Sequence, residues 1–324
     1  MTSGRLDDLD RLIVAALQVD GRAPWRRVAE VIGEPERTVT RRGTELLVSG
    51  AVRISALGGH NAAVVVRAEC ATGAVRAAVT ALAHRRDCVY AYALTGPVEA
   101  VAEIRVTNAN LPALVLDELP ATVGLLRARV EPVLRVLRSV RQWRPDILTP
   151  VQIAGLEAPP HGVQQPDGSE PAPLSAVDRS VLRVLADDGR AGITAIARAA
   201  GISESTARRR LDWLLVEGHV WPRAVVEPTL LGYPLEAILW VRVLPDRFDD
   251  VAAHLLAEPA VRQATAVAGE FDLVVDVAVR DQADLYDLLS APRWREMVQT
   301  VEVSVVLQAM KRSGLRVPAG GPAG

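Results

Sequence analysis

A helix rich in arginine and hydroxyl groups is predicted in the second half of the chain, within GISESTARRRLDWLLVEGHV (201–220). Ser203 is expected to start it, because its hydroxyl can accept a hydrogen bond from a free N–H of the first turn. Ala207, Leu211 and Leu214 recur at i, i+4 and i+7 and predict one buried stripe. The candidate contact residues are Ser203, Ser205, Thr206, Arg208, Arg209 and Arg210.

The chemistry of that polar face suits double-stranded DNA. Guanidinium groups can bond to phosphate oxygens or guanine edges, and hydroxyls can bond to either. A solvated basic face on an amphipathic helix is the alternative for an isolated stretch. The preceding segments favour the DNA interpretation, because helices predicted at 176–186 and 194–200, with a tight turn at Gly201, complete a helix-turn-helix.

The same unit occurs twice. Residues 6–52 align with residues 174–220 without a gap at about 40% identity, as expected for a duplicated module. In the first copy the groove-facing helix is predicted over 35–48, and Gly43 stands where the second copy has Leu211. We expect the first copy to lose a core contact there and to read DNA more loosely. Trp25 is predicted to be a core or domain-contact residue. The candidate contact residues of the first copy are Arg37, Thr38, Thr40, Arg41 and Arg42.

Composition excludes several classes of protein. The chain has 324 residues, 49% of them hydrophobic, and a net charge of −2 that hides a basic segment. Between Gly21 and Arg53 seven arginines face four acidic residues. No stretch is apolar enough to span a membrane. Cys70 and Cys88 are predicted to be buried thiols in a reducing cytoplasm, and the histidines lack metal-ligand spacing, so neither a metal nor a cofactor is predicted.

The remainder of each half alternates between strand and helix periodicity. Both halves read as β-α-β-β-α-β, a split ferredoxin-like arrangement, so the fold class is α+β. The predicted domains are two tandem copies of a winged-type helix-turn-helix domain, at 1–55 and 174–225, each followed by a ferredoxin-like domain, at 60–143 and 234–312. A proline-rich linker (144–173) with little to bury is expected to let the halves fold separately and then dock, and the tail (313–324) is expected to be disordered.

The combined pattern resembles the Lrp/AsnC, or feast/famine, family of transcriptional regulators. LDDLDRLIVAALQVDGR and GEPERTVTRRGTELLVSGAV carry the resemblance in the first half, and LSAVDRSVLRVLADDGR, GISESTARRRLDWLLVEGHV and AGEFDLVVDV carry it in the second. It implies a DNA-binding regulator that self-associates through its ferredoxin-like domains and responds to an amino acid or a related small effector. Two modules in one chain imply an internal pseudo-dimer that forms homo-oligomers.

The resemblance places the effector near the turn between the two central strands. In this chain the turn residues are Ala268, Gly269, Phe271 and Asp272. Asp272 could bind an ammonium group or simply cap the turn, and both interpretations stay open. In the first half Pro97 replaces Glu270 and removes a donor, which makes an effector pocket there doubtful.

Two other functions compete with the regulator. Sirohaem decarboxylases resemble this chain in their two-domain layout and use His and Arg side chains on the central strands to hold and protonate the tetrapyrrole. The equivalent central strands of this chain carry no histidine. We therefore predict that the protein is not an enzyme. A ligand sensor with vestigial DNA-binding units is the third possibility, which DNA binding without salt dependence would favour.

Overall fold

The order of helices and strands repeats from the first half of the chain to the second. The computed structural model describes residues 6–58, 62–157 and 174–317. In the first half the elements are α1 (Asp8–Val19), α2 (Trp25–Ile32), α3 (Glu36–Val48), β1 (Arg53–Gly58), β2 (Ala63–Cys70), α4 (Val75–His84), β3 (Cys88–Leu94), β4 (Ala100–Arg105), α5 (Leu111–Ala113, continued by a π-helical turn to Glu118), β5 (Leu125–Arg138) and α6 (Pro150–Leu156).

The second half repeats this series after residue 173. Its elements are α7 (Ala176–Asp187), α8 (Ile193–Ala200), α9 (Glu204–Val216), β6 (Val220–Val225), β7 (Leu235–Val243), α10 (Phe248–Ala257), β8 (Val261–Val267), β9 (Leu273–Val279), α11 (Gln282–Ser290), α12 (Pro292–Met297), β10 (Val298–Arg312) and β11 (Leu315–Arg316). The two central strands of this half, β8 and β9, flank the turn that contains Gly269.

The molecule divides by type of domain and not by half of the chain. Among the described residues, one unit, here called the helical unit, contains 6–58, 146–157 and 174–226, and the other, the sheet unit, contains 62–145 and 227–317. The two halves of the chain are therefore not separate compact units in the structure. The physical reason is strand pairing, because strands of one half complete the sheets of the other and bury backbone groups that each half alone would leave unpaired.

A two-stranded sheet joins the two copies within the helical unit. β1 pairs antiparallel with β6 from Arg53↔Val225 to Gly58↔Val220. α7 packs on β1 and α1 packs on β6, so each copy lays its first helix on the other copy's strand.

The apolar stripe of α9 is buried as predicted, but the first copy fills one of the matching positions differently. Ala207, Leu211 and Leu214 lie in the core of the second copy. At Gly43 a Cβ atom would lie 2.4 Å from the Trp25 ring, which occupies that space. The first copy therefore does not lose its core contact as expected, since the Trp25 side chain supplies it from α2.

Part of the predicted linker is structured. α6 begins with Pro150 after the cap Thr149, whose side chain accepts from the Gln152 N–H, and it packs against α1 and α2 in the helical unit. Leu156 is fully buried, so 144–157 does not fit the prediction of a segment with little to bury. The rest of the linker, 158–173, lies outside the described residues.

The sheet unit consists of two four-stranded sheets with the same strand order. The order is β3-β4-β2-β5 in the first half and β8-β9-β7-β10 in the second, all antiparallel. β5 also pairs with β8, and β10 also pairs with β3. Each of these eight strands therefore has a partner on both sides, which leaves no free edge among them.

The start of the predicted disordered tail is structured. Leu315 and Arg316 form β11 against β10, and 318–324 lies outside the described residues.

Both cysteines lie in the sheet unit. Cys70 and Cys88 are buried and form no disulfide, as predicted. Burial raises the pKa of the Cys70 thiol to about 11 and that of Cys88 to about 12.

Candidate nucleic-acid interface and effector site

The helix α9 presents two open arginine side chains. Arg208 and Arg209 are exposed, and neither forms an ion pair or side-chain hydrogen bond within the described residues. Ser203 caps the helix as predicted, since its hydroxyl accepts from the Thr206 N–H at 3.3 Å. The Ser203 hydroxyl also lies 3.0 Å from that of Ser205, so three hydroxyl groups cluster at the start of the helix.

Arg210 stabilises the helix-turn-helix fold and is not available at the surface in the way that Arg208 and Arg209 are. Its guanidinium bonds to both carboxylate oxygens of buried Asp178 at the start of α7, at 2.6 and 2.5 Å, and stacks on Trp213 at 4.3 Å. Burial raises the pKa of Asp178, but hydrogen bonds from Arg210 and Ser175 outweigh it, and the net shift is downward. Arg210 follows Ala207 by three residues and precedes Leu214 by four, which places it beside the buried stripe.

The matching residue of the first copy is also bonded at the start of its first helix, although its main partner, Asp7, aligns with Ser175 and not with Asp178. Arg42 bonds to Asp7 and lies 3.5 Å from Asp10, and the hydrogen bond from Arg42 lowers the pKa of Asp7. Arg42 and Arg210 are therefore removed from the predicted DNA-contact set. The sequence missed this role because the two acidic partners lie on another helix, more than thirty residues away.

The other predicted residues of α3 remain at the surface to different degrees. Arg37 is exposed and has no ion pair among the described residues, while Thr38 and Thr40 are half-buried. Arg41 is exposed but bonds to Glu45 one turn along the helix at 2.8 Å. Such an exposed pair contributes little and can be exchanged for a phosphate contact.

Two arginines that the repeat alignment matched join the copies to each other. Arg22 donates to the carbonyls of Gly189 and Ala191 at 2.7 and 3.1 Å. Arg190 donates in return to the carbonyls of Gly21 and Ala23 at 2.9 and 3.2 Å. Burial lowers the pKa of both guanidinium groups. We call this reciprocal contact the arginine clamp.

Several arginines of the basic segment in the first copy make contacts within the protein. Arg22 lies in the clamp, and Arg27 donates to the carbonyls of Gly155 and Glu157 and so holds α6. Much of the local positive charge is therefore used inside the helical unit. In the second copy Arg198 on α8 is also exposed without an ion pair among the described residues, and the sequence argument overlooked it.

The predicted effector turn lies between β8 and β9 in the sheet unit. Ala268 and Gly269 are exposed and Phe271 is buried. Asp272 accepts a hydrogen bond from the Val243 N–H at 2.8 Å, which favours the capping interpretation of its carboxylate. Glu99 does the same in the first half by accepting from the Cys70 N–H at 2.8 Å.

Side chains of the first half lie under this turn. Arg67 on β2 is 3% exposed and stacks between the rings of Trp240 and Phe271, 4.6 Å from each centroid. Its Nη1 lies 3.2 Å from carboxylate oxygens of both Glu131 and Glu270. Sequence reasoning did not find this group, because β2 and β5 come from the other copy of the module.

A second charged cluster is buried deeper in the sheet unit. Arg262 bonds to Glu236 and to Asp276, and Arg312 bonds to Glu236 and Glu227. Burial raises the pKa of Asp276 to about 7. These charges are paired with one another, as buried ions must be to offset the loss of hydration.

The described residues contain neither a cluster of metal-ligating side chains nor a helix that could span a membrane. No group of three or more potential metal-ligating side chains was found there. Within the same residues, every helix is too short or too polar to cross a bilayer.

Comparison with known proteins identifies both kinds of domain. The AsnC-type helix-turn-helix domain matches residues 6–46 and 174–215, and the Lrp/AsnC ligand binding domain matches residues 236–315. The chain is 26% identical over 142 residues to the HTH-type transcriptional regulator FL11 of Pyrococcus horikoshii, which covers 44% of this chain and 94% of that protein. It is 32% identical over 114 residues to the HTH-type transcriptional regulator LrpA of the same organism, covering 35% of this chain and 81% of that protein.

Solved structures of one protein, the siroheme decarboxylase NirDL, match nearly the whole chain with and without an iron-uroporphyrin III analogue. The siroheme decarboxylase NirDL aligns over 97% of this chain and 95% of its own, with a TM-score of 0.61 and 13% identity. At that identity the likeness shows a common fold and carries nothing about chemistry.

Proposed function

Because the chain belongs to the Lrp/AsnC family of transcriptional regulators, we propose that it binds double-stranded DNA sequence-specifically through α3 and α9. The observation that carries the proposal is the exposure of Arg208 and Arg209, free of ion pairs in the described part of the chain, on the helix after the Gly201 turn. Arg37, Thr40 and Arg41 are the corresponding contacts of the first copy, with Ser203, Ser205 and Thr206 as hydroxyl contacts in the second and Thr38 in the first.

We further propose that one polypeptide supplies both helix-turn-helix units, here called the two heads, of a DNA-binding pseudo-dimer. The β1–β6 ladder and the arginine clamp support this arrangement. A two-headed reader contacts half-sites about one helical turn, or 10 base pairs, apart. Position for position, α3 offers Arg37, Thr40 and Arg41 where α9 offers Ser205, Arg208 and Arg209. The operator is therefore expected to be asymmetric.

The sheet unit is proposed to sense a small effector, such as an amino acid, and to form homo-oligomers. The strand order of both halves supports the description as ferredoxin-like domains, and the segments β1 and β6 support that of a winged helix-turn-helix. The effector position is proposed at the turn from Ala268 to Asp272, with Gly269 and Phe271 between them. Close approach of charged side chains from the first half supports this location.

The proposal is tested by selecting DNA sequences from a random library with the full chain and titrating the selected duplex by fluorescence anisotropy at several salt concentrations. Arg208→Ala and Arg209→Ala should each weaken binding more than Arg41→Ala, whose side chain is partly held by Glu45. A lost phosphate contact lowers the slope of log K against log salt by about 0.9, and a lost base contact costs about 1–3 kcal/mol on the preferred sequence.

Arg183→Ala is the matched control. Arg183 is exposed on α7, bonds only to the Ser180 hydroxyl among the described residues, and carries the same charge. It should leave affinity and salt slope nearly unchanged. Binding that is lost equally in the control and the α9 variants, or binding with no salt dependence in the unaltered chain, would reject the DNA-binding proposal.

The structural likeness to NirDL defines the alternative to be tested, an enzyme acting on sirohaem. The strands β3, β4, β8 and β9 contain no histidine to protonate a tetrapyrrole. We expect no decarboxylation when the purified chain is incubated with sirohaem, and product formation above a protein-free control would favour the enzyme instead.

A further inference from the structure

The Arg67–Glu131 pair beneath the effector turn is incompletely satisfied. Both residues are 3% exposed. Within the described residues, Arg67 Nε and Glu131 Oε2 are buried and lack hydrogen-bond partners. Buried polar atoms of native proteins are nearly always bonded, and leaving them unbonded is costly. Arg67 therefore keeps an unused donor, Nε, besides the Nη1 group that meets Glu131 and Glu270.

The carboxylate of Glu270 enters this position from the surface. Its side chain is 44% exposed, and its Oε2 lies 3.2 Å from Arg67 Nη1 and 3.5 Å from Arg129 Nη1. Arg242 holds the turn by donating to the Glu270 carbonyl at 3.1 Å. An exposed carboxylate at these distances is held weakly, so another carboxylate can replace it without refolding of the strands below.

The related position of the first half differs in each of these features. There the Trp240 Nε1–H donates to the Ser304 hydroxyl at 3.1 Å, in the place of the Arg67–Glu131 pair. Pro97 stands where the second half has Glu270. That position offers no guanidinium, because neither the turn residue nor the two residues below it carry charge, and Glu302 faces Trp240 where Arg129 faces Arg67.

We propose that each chain has one carboxylate-binding position, formed by Arg67 and Arg129, and that Glu270 occupies it as an internal substitute until a carboxylate ligand displaces it. This inference deepens the proposed sensing function and rests on it. It assigns the ligand-recognising cations to the first half and the displaceable anion to the second, so the site exists only where the two halves meet in the sheet unit.

The test uses acetate as the probe. Glu270→Ala removes a CH₂–COO⁻ group, which acetate matches in size and charge. Thermal unfolding of the full chain is followed in sodium acetate and in sodium chloride of equal ionic strength. With acetate at about ten times its dissociation constant, linkage predicts that Tm of Glu270→Ala rises by about 3 °C more in acetate than in chloride.

The unaltered chain should show a much smaller acetate-specific rise, because Glu270 competes for the position. Glu302→Ala is the matched control, since Glu302 is an exposed carboxylate on β10 without an ion pair among the described residues. The double variant Glu270→Ala/Arg129→Gln should lose most of the rise. Titration calorimetry of Glu270→Ala with acetate should give one site per chain.

The inference is overturned if Glu270→Ala responds to acetate no more than Glu302→Ala, or if calorimetry finds two equivalent sites. DNA titrations of the same preparations distinguish failure of the carboxylate-position proposal from failure of the DNA-binding proposal. Retained DNA binding without acetate rescue would reject only the carboxylate position, whereas loss of DNA binding by the unaltered chain would reject the regulator itself.

Discussion

The arginine clamp predicts a large loss of stability when the half-buried side chain of Arg190 is truncated in Arg190→Ala. The lost contacts are two hydrogen bonds from a charged donor, at 2.9 and 3.2 Å, and a stacking contact with Trp25 at 4.5 Å. A hydrogen bond to a charged group contributes about 1.5–3 kcal/mol, and a cation–π contact about 0.5–1 kcal/mol. Water can rehydrate part of the freed carbonyls, so we expect a net loss of about 2–4 kcal/mol.

Hydrogen exchange measures this loss where it occurs. The Gly21 N–H donates to the Pro222 carbonyl at 3.1 Å and the Gly189 N–H to the Ile54 carbonyl at 2.8 Å, so both amides report on opening at the clamp. A loss of 2 kcal/mol corresponds to about 30-fold faster exchange through that opening. Peptides that cover 20–24 and 188–192 should show it in the full chain.

The clamp also positions the two heads, and this separates its role from direct DNA contact. Arg190→Ala should weaken binding to a duplex with both half-sites and leave the salt slope unchanged, because no phosphate contact is removed. Arg183→Ala again serves as the control. Exchange rates in Arg190→Ala equal to those of this control would refute the reasoning, as would a salt slope that falls by about one unit.

The remaining predictions concern packing, pH and thiol reactivity. Gly43→Leu should destabilise the first copy by about 1–3 kcal/mol through its clash with the Trp25 ring, and adding Trp25→Ile, which recreates the pair of the second copy, should recover most of it in denaturant titrations. Since burial raises the pKa of Asp276 to about 7, above an unfolded value of about 3.9, the folded state binds this proton more tightly. Stability of the unaltered chain relative to Asp276→Asn should therefore fall as the pH rises from about 4 to 7, by about 2–4 kcal/mol, and parallel pH curves would contradict this. Cys70 and Cys88 should react with a thiol reagent at pH 8 far more slowly when folded than when unfolded, because burial keeps both protonated.

Local patterns in the sequence determined most of the elements of this protein. The repeat, the three helices of each head and the four strands of each sheet follow from periodicity and from caps such as Ser203, which act within one or two turns. The buried stripe of α9 and the burial of both cysteines were also predictable, because apolar spacing along one element sets which face is covered.

Only the tertiary structure decided which arginine side chains are exposed and which form hydrogen bonds or ion pairs with other parts of the protein. Arg42 and Arg210 look like groove contacts in sequence, yet each meets a carboxylate from the start of another helix. Arg22 and Arg190 bond across the two copies, and Arg67 lies under a turn more than 200 residues away. Charge pairing depends on distances of a few ångströms between segments remote in the chain, and local periodicity carries no information about those distances.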